Sequence, residues 1–234
     1  MLGAMPKPLV PLGGRPIIEY TLDAATGAGV DEVLVVTGYR EDEVRDELTS
    51  IGRSFGLSFA SNPDYERGAS YSLRAARDFG REGPALLLMA DHLLGAELLQ
   101  ALVTTHEALP GHASLVAADG HNRDALYTDE ATKLALADGP FPREVTEIGK
   151  DLEHWDALDC GAFVLDPAAW DVIDGAPEDC ELSTIFQMLA GSGDLLAADT
   201  SGMPWYDVDT PADLIAASQW LAARQLGYAD RFEG

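Results

Sequence analysis

Between residues 16 and 29 apolar side chains recur at helical spacing (Ile17, Ile18, Tyr20, Leu22, Ala25), and Gly27 and Gly29 end the pattern, so a helix is predicted there. The apolar, largely β-branched run at 33–36, closed by Thr37 and Gly38, predicts a buried strand with a loop after it. Helical spacing returns over 41–51, a short strand follows at 57–60, and a helix is predicted over 70–79. An unbroken apolar run at 84–89 then ends in Ala90, Asp91 and His92, and a helix over 96–109 and a strand over 114–118 continue the alternation.

Strands alternating with helices predict an α/β fold with a mixed, mostly parallel sheet and helices on both faces. From about residue 132 the pieces shorten. Strands are predicted at 132–137, 145–148, 159–165 and 195–198, helices at 167–173 and 182–190, and a strand-like 205–209 runs into a last helix over 211–225. No repeat, low-complexity tract or linker divides the chain, and 234 residues with 47% hydrophobic content are enough for one large core, so 1–234 reads as a single domain.

Charge narrows the function classes. The formal net charge is −25, from 40 acidic against 15 basic residues, which repels a phosphate backbone and an anionic bilayer alike. Neither nucleic acid nor a membrane surface is therefore an expected partner. No apolar stretch reaches spanning length and the opening Met1-Leu2-Gly3-Ala4-Met5-Pro6 has no secretory pattern, so a cytoplasmic location is expected. Cys160 and Cys180 form no CxxC pair and read as reduced thiols. An acidic chain that handles phosphates must place its few cations locally or recruit a metal, which makes each lysine informative.

Asp91 follows the apolar run and should project from the carboxyl end of a buried strand, where ligands of open α/β sheets bind; a loop or helix cap is the competing reading. A carboxylate placed there suits magnesium, which prefers hard oxygen ligands. In Trp205-Tyr206-Asp207-Val208-Asp209-Thr210-Pro211, the period of two sends Asp207 and Asp209 to the same side; the competing reading is that Asp209 or Thr210 only caps the last helix. Lys7 stands between Pro6 and Pro8, which predicts an extended backbone that holds it for a phosphate. Lys133 and Lys150 draw the same attention, Lys150 more so because Gly149 precedes it. The histidines, His92, His106, His112, His121 and His154, show no metal spacing and read as incidental, and no GxSxG elbow or Cys/His signature supports covalent catalysis.

Lys7-Pro8-Leu9 before Gly13-Gly14-Arg15-Pro16, followed by Val35-Val36-Thr37-Gly38-Tyr39, resembles the sugar-phosphate nucleotidyltransferases. Thr128-Asp129-Glu130-Ala131-Thr132-Lys133, Glu147-Ile148-Gly149-Lys150, Trp155-Asp156-Ala157-Leu158-Asp159-Cys160-Gly161 and the segment 205–211 look most like CTP:inositol-1-phosphate cytidylyltransferases. The resemblance implies a Rossmann-like, GT-A-like fold with a nucleotide-binding half over 1–118 and an acceptor-binding, metal-completing half over 119–234. It implies Mg2+ held by Asp91 and by Asp209 or Asp207, with Lys7 on the triphosphate. Asn62, Gly68 and Ser72 would line the nucleotide pocket, and Lys133, Glu147, Lys150, Asp159 and Gly161 the acceptor side. The implied partners are a nucleoside triphosphate and a small phosphorylated acceptor; a homodimer is left open.

The chain departs from that pattern in three places. Relatives begin with a strand and a loop of the type Leu-Ala-Ala-Gly-x-Gly-x-Arg-Leu, whereas this sequence opens at Met1-Leu2-Gly3-Ala4, as though inside that loop. The expected consequence is a phosphate cradle and a central strand that are lacking, and a noncatalytic nucleotide-binding protein stands as the rival reading. Gly68-Ala69-Ser70-Tyr71-Ser72 lacks the asparagine of the usual Gly-Asn-x-x-Ser, leaving base preference open, and Cys160 replaces a threonine. Phosphocholine or a hexose 1-phosphate remains an alternative acceptor.

Overall fold

The computed structural model describes residues 5–51, 56–111, 113–121 and 131–225. Two short strands, β1 (Pro11–Leu12) and β2 (Arg15–Pro16), pair across Gly13 and Gly14, both at positive φ, where a tight turn favours glycine. Helix α1 (Ile17–Gly27) follows and buries Ile17, Ile18, Leu22 and Ala25, the face that its apolar spacing predicts. Strand β3 (Glu32–Thr37), helix α2 (Glu41–Ile51) and strand β4 (Gly56–Ser61) make a βαβ unit, with parallel pairing from Glu32↔Gly56 to Thr37↔Ser61. Glu41, Asp42 and Glu43 in the first turn of α2 complement the positive end of its dipole.

The helix predicted over 70–79 is two helices, α3 (Ala69–Ala75) and α4 (Arg77–Arg81), broken at Ala76. Tertiary packing decides this break. Gly80 lies so close to Trp170 that a Cβ on it would come within 2.3 Å of the indole, and Arg77 and Arg81 turn outward to Asp174. The chain continues through β5 (Ala85–Leu88), β6 (His92–Leu94), α5 (Ala96–Glu107), β7 (Ser114–Asp119), β8 (Lys133–Leu136), β9 (Arg143–Gly149) and β10 (Ala157–Leu165). Helices α6 (Ala169–Gly175) and α7 (Leu182–Gly191), strands β11 (Leu195–Asp199) and β12 (Trp205–Asp207), and helix α8 (Pro211–Gln225) complete it.

The main sheet runs β5-β10-β7-β11-β9-β8. The neighbouring strands β7 and β10 alternate between faces: Val116, Ala118, Phe163 and Leu165 join a core with Trp170, Ile185 and Leu189. Leu115, Ala117, Ala162 and Val164 face Leu98, Leu99 and Leu102 of α5 on the other side. Helices cover both faces, as expected, and each fully buried Leu or Phe contributes roughly 1.5–3 kcal/mol. The expectation of mostly parallel pairing needs correction: among the described residues only β7–β11 and β3–β4 are parallel. The reason is β10, a strand of the second half that inserts antiparallel between β5 and β7, which the alternation of elements in the first half does not reveal.

The β3–β4 ladder stands apart from the main sheet. It faces β5 across an apolar slot of about 840 Å³, lined by Val33, Val35, Leu86, Leu88, Ile18 and Trp170. Every residue of β5 is only half buried, whereas all six of β7 are fully buried. Among the described residues no strand pairs with β3 and β5 across the slot. This is where the resemblance calls for a central strand; Met1-Leu2-Gly3-Ala4, on which that expectation rests, lies outside the described residues.

Candidate active site

Asp91 lies in the turn after β5, and His92 opens β6, which pairs antiparallel with β12 so that His92 sits opposite Asp207. The Val208 N–H donates to the Asp91 carbonyl at 3.2 Å, and Thr21 Oγ of α1 donates to the His92 carbonyl at 2.9 Å, so both sides of the turn are pinned. Lys7 is not extended as its flanking prolines predict. It begins a 3₁₀ turn, Lys7–Leu9, closed by Leu9 N–H to Pro6 O at 2.9 Å. Burial of Leu9 against Ile18, Leu22, Val44 and Leu48 outweighs the local preference before Pro8.

The side chains form one chain of alternating carboxyl and nitrogen-base groups. Lys7 Nζ donates to Asp91 Oδ2 at 2.7 Å and to Asp209 Oδ1 at 2.5 Å, while His92 Nδ1 lies 2.9 Å from Asp91 Oδ1 and 3.5 Å from Asp207 Oδ1. Asp207 and Asp209 thus reach the same place, as the period of two predicts. The capping alternative falls to Thr210. Its Oγ accepts the Asp213 N–H, and Asp213 returns the contact to the Thr210 and Asp209 N–H groups, leaving the Asp209 carboxylate for Lys7.

Electrostatics follow from burial and this pairing. Burial alone would raise the Asp91 carboxyl, but His92 and Lys7 together hold it well below the usual carboxylate range. Burial works against the Lys7 ammonium, yet Asp91 and Asp209 raise it above its ordinary value. His92 likewise resists charging through burial and is raised by Asp91, Asp207 and Asp159. Asp207 is pushed up to about 6 by burial, which His92 only partly offsets. Asp159, partly buried on β10, is also pushed up to about 6 by loss of solvation, although its Oδ1 accepts the Gly161 N–H at 2.8 Å.

Asp91, Asp207 and Asp209 border a cleft of about 900 Å³ that Gly68, Lys150, Asp159 and Gly161 also line. Gly68, at φ +119, lets the backbone turn into it ahead of α3. Four predicted positions lie elsewhere. Lys133 Nζ donates to the Lys150 carbonyl at 2.7 Å and so braces the backbone of Lys150. Glu147 is exposed on β9, outside the cleft lining. Asn62 is buried and donates to Ser72 Oγ at 3.0 Å, and Ser72 lines the apolar slot. Of the motif at 128–133, residues 128–130 lie outside the described residues, as does His112. Sequence reasoning set His92 aside because the histidines show no regular metal spacing, a test that cannot see partners brought in from β12 and β10. The Asp-His step after an apolar run was the available signal.

The donor set fits a hard divalent cation. Asp207 Oδ1 is buried without a hydrogen-bond partner, and Asp91, His92 and Asp207 place ligand atoms within 4.8 Å of one another.

The profile of the MobA-like NTP transferase domain matches residues 1–169. The chain belongs to this family. The bifunctional IPC transferase and DIPP synthase of Rubrobacter xylanophilus is 32% identical over 97% of this chain and 51% of its own length. That of Archaeoglobus fulgidus is 31% identical over 99% and 44%. The mannose-1-phosphate guanyltransferase of Kluyveromyces lactis is 26% identical over 92% of this chain and 58% of its own length. The chain spans about half the length of the curated relatives it matches. Among solved structures, the inositol-1-phosphate CTP transferase of T. maritima superposes with a TM-score of 0.79 at 16% identity, covering 99% of this chain and 90% of that one. The UDP-glucose pyrophosphorylase of Acinetobacter baumannii gives 0.80 at 15%, covering 98% and 90%. These likenesses show the nucleotidyltransferase fold, in keeping with the match to the NTP transferase family. No helix among the described residues is long and apolar enough to cross a membrane.

Proposed function

We propose that this member of the NTP transferase family is a nucleotidyltransferase that moves a cytidylyl group from CTP to a polyol phosphate such as inositol 1-phosphate, using Mg2+ and releasing pyrophosphate. The observation that carries the reading is the alternating chain Asp209–Lys7–Asp91–His92–Asp207 at the border of the cleft, a cation-binding set with one buried carboxylate oxygen left unpartnered. The acceptor class is suggested by the structural likeness to the inositol-1-phosphate CTP transferase of T. maritima. In the reaction an acceptor phosphate oxygen forms a bond to the α-phosphorus as the bond to the β-phosphate oxygen breaks, and the electron pair leaves with pyrophosphate.

Asp91, Asp207 and Asp209 would hold magnesium, which supplies charge neutralisation at the transferring phosphate. Lys7 stands at the cleft border with a cation between two carboxylates, placed to share that neutralisation. Lys150 lines the same cleft and suits the acceptor phosphate, with Lys133 fixing its backbone. A hexose 1-phosphate is the second acceptor reading, favoured by the guanyltransferase relatives that cover most of the chain. Cytoplasmic location belongs to the same proposal.

The test is pyrophosphate release with magnesium and each of the four nucleoside triphosphates, offered inositol 1-phosphate, phosphocholine or glucose 1-phosphate. Release with CTP and inositol 1-phosphate supports the proposal. Release with another pair reassigns the substrates, and silence with every pair from folded protein defeats the transfer reading.

A further inference from the structure

We infer that His92 is the positioning residue of the carboxylate cluster: its Nδ1 spans Asp91 and Asp207 and sets the spacing at which the two meet a divalent cation. The substrate context rests on the transfer reading above, whereas the content rests on geometry. The ring is buried, with 13% of the side chain exposed, and its backbone is held at three points. These are the strand position opposite Asp207, the N–H bond to Met89 O at 3.2 Å, and the carbonyl that accepts from Thr21. Nδ1 reaches one oxygen each of Asp91 and Asp207, at 2.9 and 3.5 Å. Lys7 takes the other oxygen of Asp91, so that carboxylate is gripped from both sides.

The far side of the ring explains a glycine. Gly161 has φ +75, and a Cβ on it would lie 2.3 Å from His92 Cδ2 and 2.5 Å from Nε2. A side chain there would drive the imidazole out of its seat. Asp159, two residues earlier on β10, binds the Gly161 N–H and adds a third carboxylate facing the ring. Three carboxylates drawn together repel one another unless a cation stands among them, and a ring hydrogen-bonded to Asp91, with the unpartnered Asp207 oxygen 3.5 Å from the same nitrogen, fixes how far apart the two carboxylates stand.

The test compares His92→Phe, which keeps the ring volume without the donor, His92→Asn, which keeps a donor near the place of Nδ1, and Gly161→Ala, which displaces the ring. In a crystal structure of His92→Phe the Asp91 and Asp207 carboxylates are expected to move apart by more than about 0.5 Å, the tolerance of a working site. Manganese(II) affinity, read by electron paramagnetic resonance without nucleotide, should fall about 10–100-fold in His92→Phe and in Gly161→Ala, with His92→Asn recovering part of it. Carboxylates that stay in place, or a manganese affinity that does not change, would overturn the proposal. If the parent protein neither binds manganese nor releases pyrophosphate with any nucleotide, the transfer reading fails on its own account. The carboxylate positions in His92→Phe then decide this proposal alone, displacement supporting it and identity overturning it. Should His92→Phe fail to fold by circular dichroism, Gly161→Ala carries the same structural comparison.

Discussion

Asp159 offers a test of the site electrostatics that needs no substrate. Its carboxyl is pushed from an ordinary value of 3.8 up to about 6 because its position on β10 strips away solvation. A raised value means that the folded protein binds the proton more tightly than the unfolded chain does, so stability falls as pH rises from about 4 through about 6. Above that window the ionised group carries the full penalty. At 1.36 kcal/mol for each tenfold, the difference between 3.8 and about 6 amounts to about 3 kcal/mol. Asp159→Asn removes the ionisation and keeps an oxygen to accept the Gly161 N–H, which now bonds to Asp159 Oδ1 at 2.8 Å. The variant should therefore melt roughly 6–12 °C above the parent at pH 8. At pH 5, safely above the isoelectric point near 4.2, roughly half of the gain in free energy should remain. The assay is thermal unfolding by circular dichroism at both pH values with chelator present. A gain equal at the two pH values, or a loss at pH 8, would refute the assignment of a poorly solvated, reluctant carboxylate.

Asp91→Ala removes the carboxylate shared by Lys7 and His92 and should lower pyrophosphate release about a hundredfold or more, so near-parental turnover would remove Asp91 from the chemistry. Lys150→Met should raise KM for the acceptor well beyond that for the nucleotide, whereas Glu147→Gln, exposed on β9 outside the cleft, should leave both unchanged in steady-state kinetics. Gly80→Ala forces a methyl against Trp170 and should cost about 1–3 kcal/mol in denaturant unfolding, with no change at the cleft.

The sequence alone determined the elements and the class. Period and punctuation placed α1, α2, α5 and the strands of both halves close to where they lie, because each apolar face is written in neighbouring residues. The same local logic found Asp91 and the Asp207–Asp209 pair, since a carboxylate after a buried strand and a spacing of two are short-range facts. Motif resemblance added the nucleotidyltransferase family, which the family match bears out.

Tertiary structure decided what local pattern cannot encode. The insertion of β10 between β5 and β7 joins strands about seventy and forty residues apart in sequence, and no window of periodicity spans that distance. The break at Ala76 comes from Trp170 pressing on Gly80, and the turn at Lys7 from burial of Leu9; both override local preference through contacts with remote residues. His92 changed most, from an incidental histidine to the centre of the cluster. Its partners Asp207, Asp159 and Gly161 arrive from β12 and β10, and only their convergence turns an isolated side chain into a site.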